Sequence, residues 1–479
     1  MVDYRGRHQT PALKLPARLS ISRTNPGISI IILYMRPAIL LAVILVSLMY
    51  PCCVLAEEAQ PLTLKDCVNS TLDKNHSLLA EGCRLDAAKA GIGKAGAAFM
   101  PKLDVTETFM RSDNPVMAFG SKLNQGVFTA ADFAVDRLND PGAVDNFNFS
   151  LQATMPIFNG GREWVGLSMA KAGLKAEDKK YGRARQETVF NAVRAYYGVA
   201  LAGEYVKAAE KSKDATAGHL RVAQSLYGQG MLTGSDVLLA KVRLAEVKET
   251  LIKAANRQAI AKAALNVIMA RPQDADFQAV DRLSEAVFTG ALKDFMEEAR
   301  ANRPDLAATG LGVDMADKGV RMAKTGYLPN VNIVGRYDLD DKDFIGGSGD
   351  SYTVMGVVSW NLFDGLLTTS NVSEARANRN MAMHRLDQAK EDVEFEVRQA
   401  FYNMQEARQR IETAGAAVEE GEEALRIIQK RFGAGMSKTT DLLDAEAALV
   451  RARTNRLSAL YDYNVAIAAL KLAVGRDAF

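Results

Sequence analysis

Tyr227-Gly228-Gln229-Gly230-Met231-Leu232-Thr233-Gly234-Ser235-Asp236-Val237-Leu238 returns 205 positions later as Phe432-Gly433-Ala434-Gly435-Met436-Ser437-Lys438-Thr439-Thr440-Asp441-Leu442-Leu443. An aromatic residue, Gly-x-Gly-Met and an Asp followed by aliphatic residues fall in step in both. The stretch reads as a reversal between two helices. Glycine supplies the backbone freedom to leave the first helix, and Ser235/Asp236 or Thr440/Asp441 can cap the next. A repeated turn implies a repeated unit around it.

The flanks carry long helical patterns. From Arg162 to about Ser225 there is no proline, which predicts a helix near 95 Å long. In the second copy Val393, Val397, Ala400, Met404, Ala407, Ile411, Ala414, Val418, Gly421, Leu425, Ile428 and Phe432 alternate by four and three, an unbroken heptad seam. The first copy keeps most of this seam, with Lys213 and Thr216 as exceptions. Return helices are expected over Asp236 to Ala270 and over Thr440 to Val474.

Upstream of each long helix the period changes to two. Phe147, Phe149, Leu151, Ala153 and Met155 alternate with Asn146, Asn148, Ser150, Gln152 and Thr154, the pattern of a membrane strand with one face in lipid. Leu103, Val105 and Phe109 give a weaker strand. In the second copy Val331, Ile333 and Tyr337 give one strand, and Tyr352, Val354, Val358 and Trp360 the other. Ser112 to Asp145 reads as a long exposed loop, because the first copy holds 23 more residues between its strands (a displacement of 228 before them, 205 after). A helix from Leu62 to Met100, opened by Thr63 and interrupted around Lys74-Asn75-His76, precedes the first pair, and Pro101 ends it.

Composition fits this layout. Of 479 residues 48% are hydrophobic and 24% charged, and the net charge of +2 gives no nucleic-acid signature. Residues 35–56 read as a secretory signal cleaved after Ala56, with Met35 the expected start and 1–34 an extension not translated. The alternative, an N-terminal anchor, needs a longer apolar run than Ala38 to Met49. Lipidation at Cys52 or Cys53 would want small residues where Tyr50-Pro51 stand. Cys67 and Cys83 can meet only if the helix between them breaks.

The domain reading is one unit over 57–479, with repeat one at 62–270, a linker at 271–290 and repeat two at 291–475. Each copy owns two strands, and four strands cannot close a barrel, so membrane strands here require oligomerisation. The fold class expected is mainly α with membrane β, the long helices extending about 100 Å from the membrane as a coiled-coil tube.

The chain resembles the TolC family of outer-membrane efflux and secretion channels over Leu62 to Val474. The resemblance rests on the duplicated layout and on the Pro-capped helices before each strand pair. It rests also on Pro156-Ile157-Phe158-Asn159-Gly160-Gly161 with Asn361-Leu362-Phe363-Asp364-Gly365, on Arg194-Ala195-Tyr196-Tyr197 with Ala400-Phe401-Tyr402, and on both turns. It implies a homotrimer with a twelve-stranded β-barrel in outer-membrane lipid and a twelve-helix periplasmic α-barrel. Such a duct is the exit of a tripartite efflux pump or type I secretion system, fed by an inner-membrane transporter through a periplasmic adaptor. The adaptor would meet the tips Gly230, Met231, Leu232, Thr233, Gly435, Met436, Ser437 and Lys438. Asp441 and Asp444 would ring the entrance, where three copies of two carboxylates repel one another and attract cations. Ser437 stands where the best-known member has a basic residue that helps hold the entrance shut, with Lys438 adjacent.

Each site residue has a plainer role beside this one. Asp441 and Asp236 can serve as helix caps, whereas Asp444 lies one turn in, where capping does not explain it. Phe147, Phe149, Leu151 and Trp360 are expected on the lipid-facing side of the strands, the alternative being ordinary sheet packing. His8, His76, His219 and His384 are scattered, and there is no catalytic set, metal-ligand spacing or phosphate loop. The sequence therefore calls for no enzyme and no cofactor. The competing class is a periplasmic coiled-coil adaptor or scaffold without a membrane barrel. Cargo is left open between drugs, secreted protein and metal ions.

Overall fold

A computed structural model describes residues 60–285 and 288–479, so the leader, its cleavage site and Cys52/Cys53 lie outside the described residues. The duplication is carried into helix lengths. Helices α1 (Leu64–Lys74), α2 (His76–Gly96), α5 (Arg162–Gly228) and α6 (Gly234–Ile268) hold 11, 21, 67 and 35 residues. Their counterparts α7 (Leu292–Asn302), α8 (Pro304–Lys324), α9 (Leu367–Gly433) and α10 (Thr439–Ala473) hold the same four numbers. Sixty-seven residues at about 1.5 Å each make α5 and α9 roughly 100 Å long. Thr63 opens α1 by accepting from the Asp66 backbone N–H, and Asn75 both ends α1 and caps α2.

Four strands form one antiparallel sheet in the order β2 (Lys102–Ser112), β3 (Val144–Asn159), β5 (Asn330–Asp341), β6 (Gly349–Ser359). Its register puts Leu103, Ala153, Gly335 and Val354 on one line, and Val105, Leu151, Tyr337 and Tyr352 on the next. The opposite face carries Thr106, Ser150, Asp338 and Ser351. On these lines one face is apolar and the other polar, as a sheet between lipid and water requires. Glu107 and Asp350 flank Phe149 and Leu339 on the apolar face nearer the β2–β3 and β5–β6 connections, and Val334 and Met355 interrupt the polar face. Strand β3 runs past Met155 and through Pro156, with a bulge before Phe158 that absorbs the missing N–H.

The helices continue the sheet order. α2 packs on α5, α5 on α8 and α8 on α9. Further down α6 packs on α5, α5 on α10 and α10 on α9. The molecule is thus four elements wide along its length. Core residues gather midway, around Cys67, Tyr196, Leu265 and Phe277 in the first copy and Phe295, Val397, Tyr463 and Leu470 in the second. Here β1 (Gln60–Leu62) pairs in parallel with β4 (Phe277–Ala279), so the expected linker contains a strand. Cys67 and Cys83 are both free thiols, and burial pushes the Cys67 thiol up to about 12.

Three expectations need correction. The segment after β2 is more than an exposed loop: it folds into α3 (Pro115–Asn124) and α4 (Val135–Asn139), pinned by Phe119–Phe128 and Phe128–Phe133 ring contacts at 4.7 and 5.1 Å. Trp360 lies beyond β6, which ends at Ser359, and its Nε1 donates to the Tyr327 carbonyl at 3.1 Å. It is therefore a sheet–helix junction residue instead of a strand residue. The N-cap residues after the turns are Thr233 and Lys438, two positions before Ser235 and Thr440, while Asp236 and Asp441 do cap by accepting from them.

Candidate functional site

The two tips are built alike. In the first, Gly230 adopts φ +73°, its N–H donates to the Tyr227 carbonyl at 3.0 Å, and Met231 N–H reaches Leu226 O at 2.9 Å. In the second, Gly435 adopts φ +71°, donates to Phe432 O at 2.9 Å, and Met436 N–H reaches Arg431 O at 2.8 Å. This paired closure satisfies the last helix carbonyls and needs a residue tolerant of left-handed backbone. Met231 and Met436 are exposed at 50% and 66%. Gly230, Thr233, Gly435 and Lys438 are exposed as well, and Leu232 and Ser437 partly so.

The tips pack on each other through Leu226, Ala240, Phe432 and Leu442, with Leu232 against them. Met231 Cε sits so close to Gly435 that a Cβ there would be 2.6 Å away. The aromatic residues of the two turns part company here: Phe432 is 2% exposed and Tyr227 54%.

Asp236 and Asp441 hold equivalent places at the third position of the return helices. Asp236 Oδ2 accepts from the Thr233 hydroxyl at 2.6 Å and the Thr233 N–H at 3.1 Å, and these bonds hold its carboxyl below the usual range. Asp441 Oδ2 accepts from Lys438 N–H at 3.1 Å and the Ser437 hydroxyl at 3.0 Å, which lower it likewise. Both are capping carboxylates. Asp444 is exposed one turn further along α10, on the same side as Asp441.

Sequence reasoning missed a buried cluster on the next turns. Glu446 is 3% exposed, and its Oε1 accepts from the Thr216 hydroxyl of α5 at 2.9 Å. His219 Nε2 stands 3.6 Å from its other oxygen. Thr216 was an exception in the apolar seam, and that interruption was the available signal: the polar position in one copy faces a carboxylate from the other. Among the strand residues, Phe147 meets the Phe109 ring at a tilt and the Phe344 ring edge-on, with centroids at 4.7 and 5.8 Å, and Phe149 and Leu151 lie on the apolar face. Among the described residues there is no cluster of metal-ligating side chains, and no helix is long and apolar enough to cross a membrane.

A family model described as Outer membrane efflux protein matches residues 67–271 and 295–476, which spans both copies and both tips. The chain belongs to that family. It is 22% identical over 421 residues to Outer membrane protein TolC of Vibrio cholerae, covering 86% of this chain and 90% of that protein. It is 24% identical over 437 residues to Alkaline protease secretion protein AprF of Pseudomonas aeruginosa, covering 88% and 86%. Among solved structures, the CmeC outer membrane channel of Campylobacter jejuni superposes with a TM-score of 0.74 at 18% identity, covering 86% of this chain and 85% of that one. VceC of Vibrio cholerae gives 0.71 at 18% identity, covering 87% and 97%. At that identity the superpositions establish the fold. Membership of the family makes this an outer-membrane protein, an exit channel of efflux or type I secretion, with its helices in the periplasm. The family is one of channels rather than enzymes.

Proposed function

We propose that three copies close edge to edge into a twelve-stranded barrel continued by a twelve-helix tunnel, passing cargo from an inner-membrane transporter and periplasmic adaptor to the exterior. The observation that carries the reading is the pair of open edges. β2 and β6 each have one partner in the sheet, and among the described residues no strand lies beyond either. Both edges carry exposed apolar side chains, Leu103 and Val105 on one, Tyr352 and Val354 on the other. Such edges cannot stand in lipid, and head-to-tail pairing of β6 with the next copy's β2 removes both. The helical edges support the same closure, with Leu238 and Ile252 exposed on α6 and Phe395 and Tyr402 on α9.

The paired tips form the adaptor-docking end, and Asp444 with Asp441 rings the entrance and favours cations. The alternative scaffold without a barrel leaves an apolar sheet face without a purpose. Purified protein in a planar bilayer, with its oligomer mass measured in detergent, tests the reading. A cation-preferring channel from a species of three chains is expected. Folded protein that never conducts in repeated reconstitutions overturns it.

A further inference from the structure

The extra residues of the first copy sit on one particular side of the sheet. Gln125, 3% exposed and just past the end of α3, donates from Nε2 to the Asp145 carbonyl and to Asn146 Oδ1, both at 2.7 Å. Asn146 Nδ2 in turn donates to Asp340 Oδ1 at 2.6 Å. Asn146 and Asp340 belong to the polar face that also bears Ser150 and Asp338. α3 is therefore fastened to the face that lines the lumen once the barrel closes.

Its position along the strands is equally defined. It begins at Pro115, directly after β2, and its end lies against the first residue of β6, where a Cβ on Gly349 would fall 1.7 Å from Asn124 O. Ten residues at about 1.5 Å span roughly 15 Å, most of the roughly 19 Å that four tilted strands about 4.8 Å apart take up along the rim. α3 thus lies across the outer rim of its own four strands. Ala118, Ser121 and Gln125 face the wall, all below 5% exposed. Val116 and Leu123 point the opposite way, seven residues apart, at 78% and 49% exposure.

We propose that α3 is a contact surface for the α3 helices of the two other copies, and that together they shut the outer mouth. The proposal rests on the trimeric barrel argued above. Twelve strands tilted about 40° make a ring of roughly 12 Å radius, so a helix laid across one third of it runs roughly 6 Å from the axis. A helix with its side chains is about 5 Å in radius, so the three leave a gap of about 1 Å radius, too narrow for water. Val116 and Leu123 of the three copies meet at the centre, which explains an apolar stripe on the water side of a membrane protein.

Single cysteines in a Cys83→Ser background test this in intact cells with a charged, membrane-impermeant fluorescent maleimide. Ser150→Cys reports the lumen, and Gly347→Cys, where a Cβ meets nothing within 4 Å, reports the exposed outer loop. With the insert intact, Ser150→Cys should label about ten-fold more slowly than Gly347→Cys, and Val116→Asp/Leu123→Asp should remove most of that difference. Replacing residues 115–139 by a short Gly/Ser linker should do the same, which guards against a local effect of the charges. Equal labelling of the two cysteines with the insert intact, or a lumen still shielded without it, overturns the closed mouth and leaves the channel standing. Failure of Gly347→Cys to label in intact cells overturns the outer-membrane channel itself.

Discussion

Arg303 Nη1 donates to the carbonyl oxygen of Ala473 at 3.0 Å, and the equivalent break in the first copy sets Asn75 Nδ2 2.8 Å from the carbonyl of Ile268. In each copy the residue that separates the two short helices ties down the last turn of the return helix. The second copy adds charge. Arg303, 4% exposed, also meets Asp305 and Glu396, at 2.6 Å each.

Arg303→Ala should lower the stability of the folded chain by about 2 kcal/mol, read as an earlier thermal transition. Asp305 and Glu396 are more than a third exposed, so water takes up part of what they lose. Burial raises Asp305, but Arg303 outweighs it and the carboxyl lies below its ordinary value. Its contribution is therefore complete above pH about 4 and is lost as pH falls below that. The variant should show a flatter acid limb than the wild type, and parallel limbs would refute the assignment.

Gly435→Ala should destabilise more than Gly230→Ala. Both force alanine into left-handed backbone, at a cost of about 1 kcal/mol each. At Gly435 alone the new Cβ meets Met231 Cε at 2.6 Å. Adding Met231→Ala should bring the two variants level in a chemical unfolding series, and a persisting gap would place the cause elsewhere.

Thr216→Val should cost about 1–3 kcal/mol by stranding the buried Glu446 carboxylate. Removing both polar groups, as Thr216→Val/Glu446→Leu, should recover most of it, because two apolar side chains then face each other across α5 and α10. A double variant as weak as the single would mean that His219 or the backbone, and not Thr216, satisfies Glu446.

Asp441→Asn and Asp444→Asn separate capping from the entrance ring. The first weakens the two bonds from Ser437 and Lys438 and should reduce both stability, by about 1 kcal/mol, and cation preference. The second should shift the reversal potential in a salt gradient with little change in melting. Unchanged selectivity in both would leave the channel and remove the ring.

Val354→Arg, on the apolar face, should reduce membrane-inserted oligomer, at a cost of about 2–4 kcal/mol near mid-membrane. Thr353→Arg, next in the strand but on the polar face, should assemble normally. Heat-modified gel mobility of the outer-membrane fraction reads both; loss confined to Thr353→Arg would mean the faces are reversed, and equal loss would mean that the two faces do not differ in their surroundings.

The duplication, the helix lengths, the break at Asn75 and the strand alternation were legible in the sequence because each is a periodicity or a punctuation along one line of residues. Twelve seam positions from Val393 to Phe432 are all buried or half-buried in α9. Short range was also enough to locate the turns, since left-handed glycine is a local demand. Asp236 and Asp441 cap as read, but the N-cap residue lies two positions before Ser235 and Thr440; in the first copy Thr233 and Ser235, both hydroxyls, offer the same chemistry two residues apart. Only tertiary structure decided what the two copies do differently. Phe432 is buried and Tyr227 exposed because one faces the other hairpin and the other an open edge. Glu446 is buried because Thr216, 230 residues away, stands opposite it. The insert lies on the polar face of the sheet because Gln125 finds Asn146 there. Such pairings depend on which element folds against which, and a linear pattern that repeats in both copies carries no record of that choice.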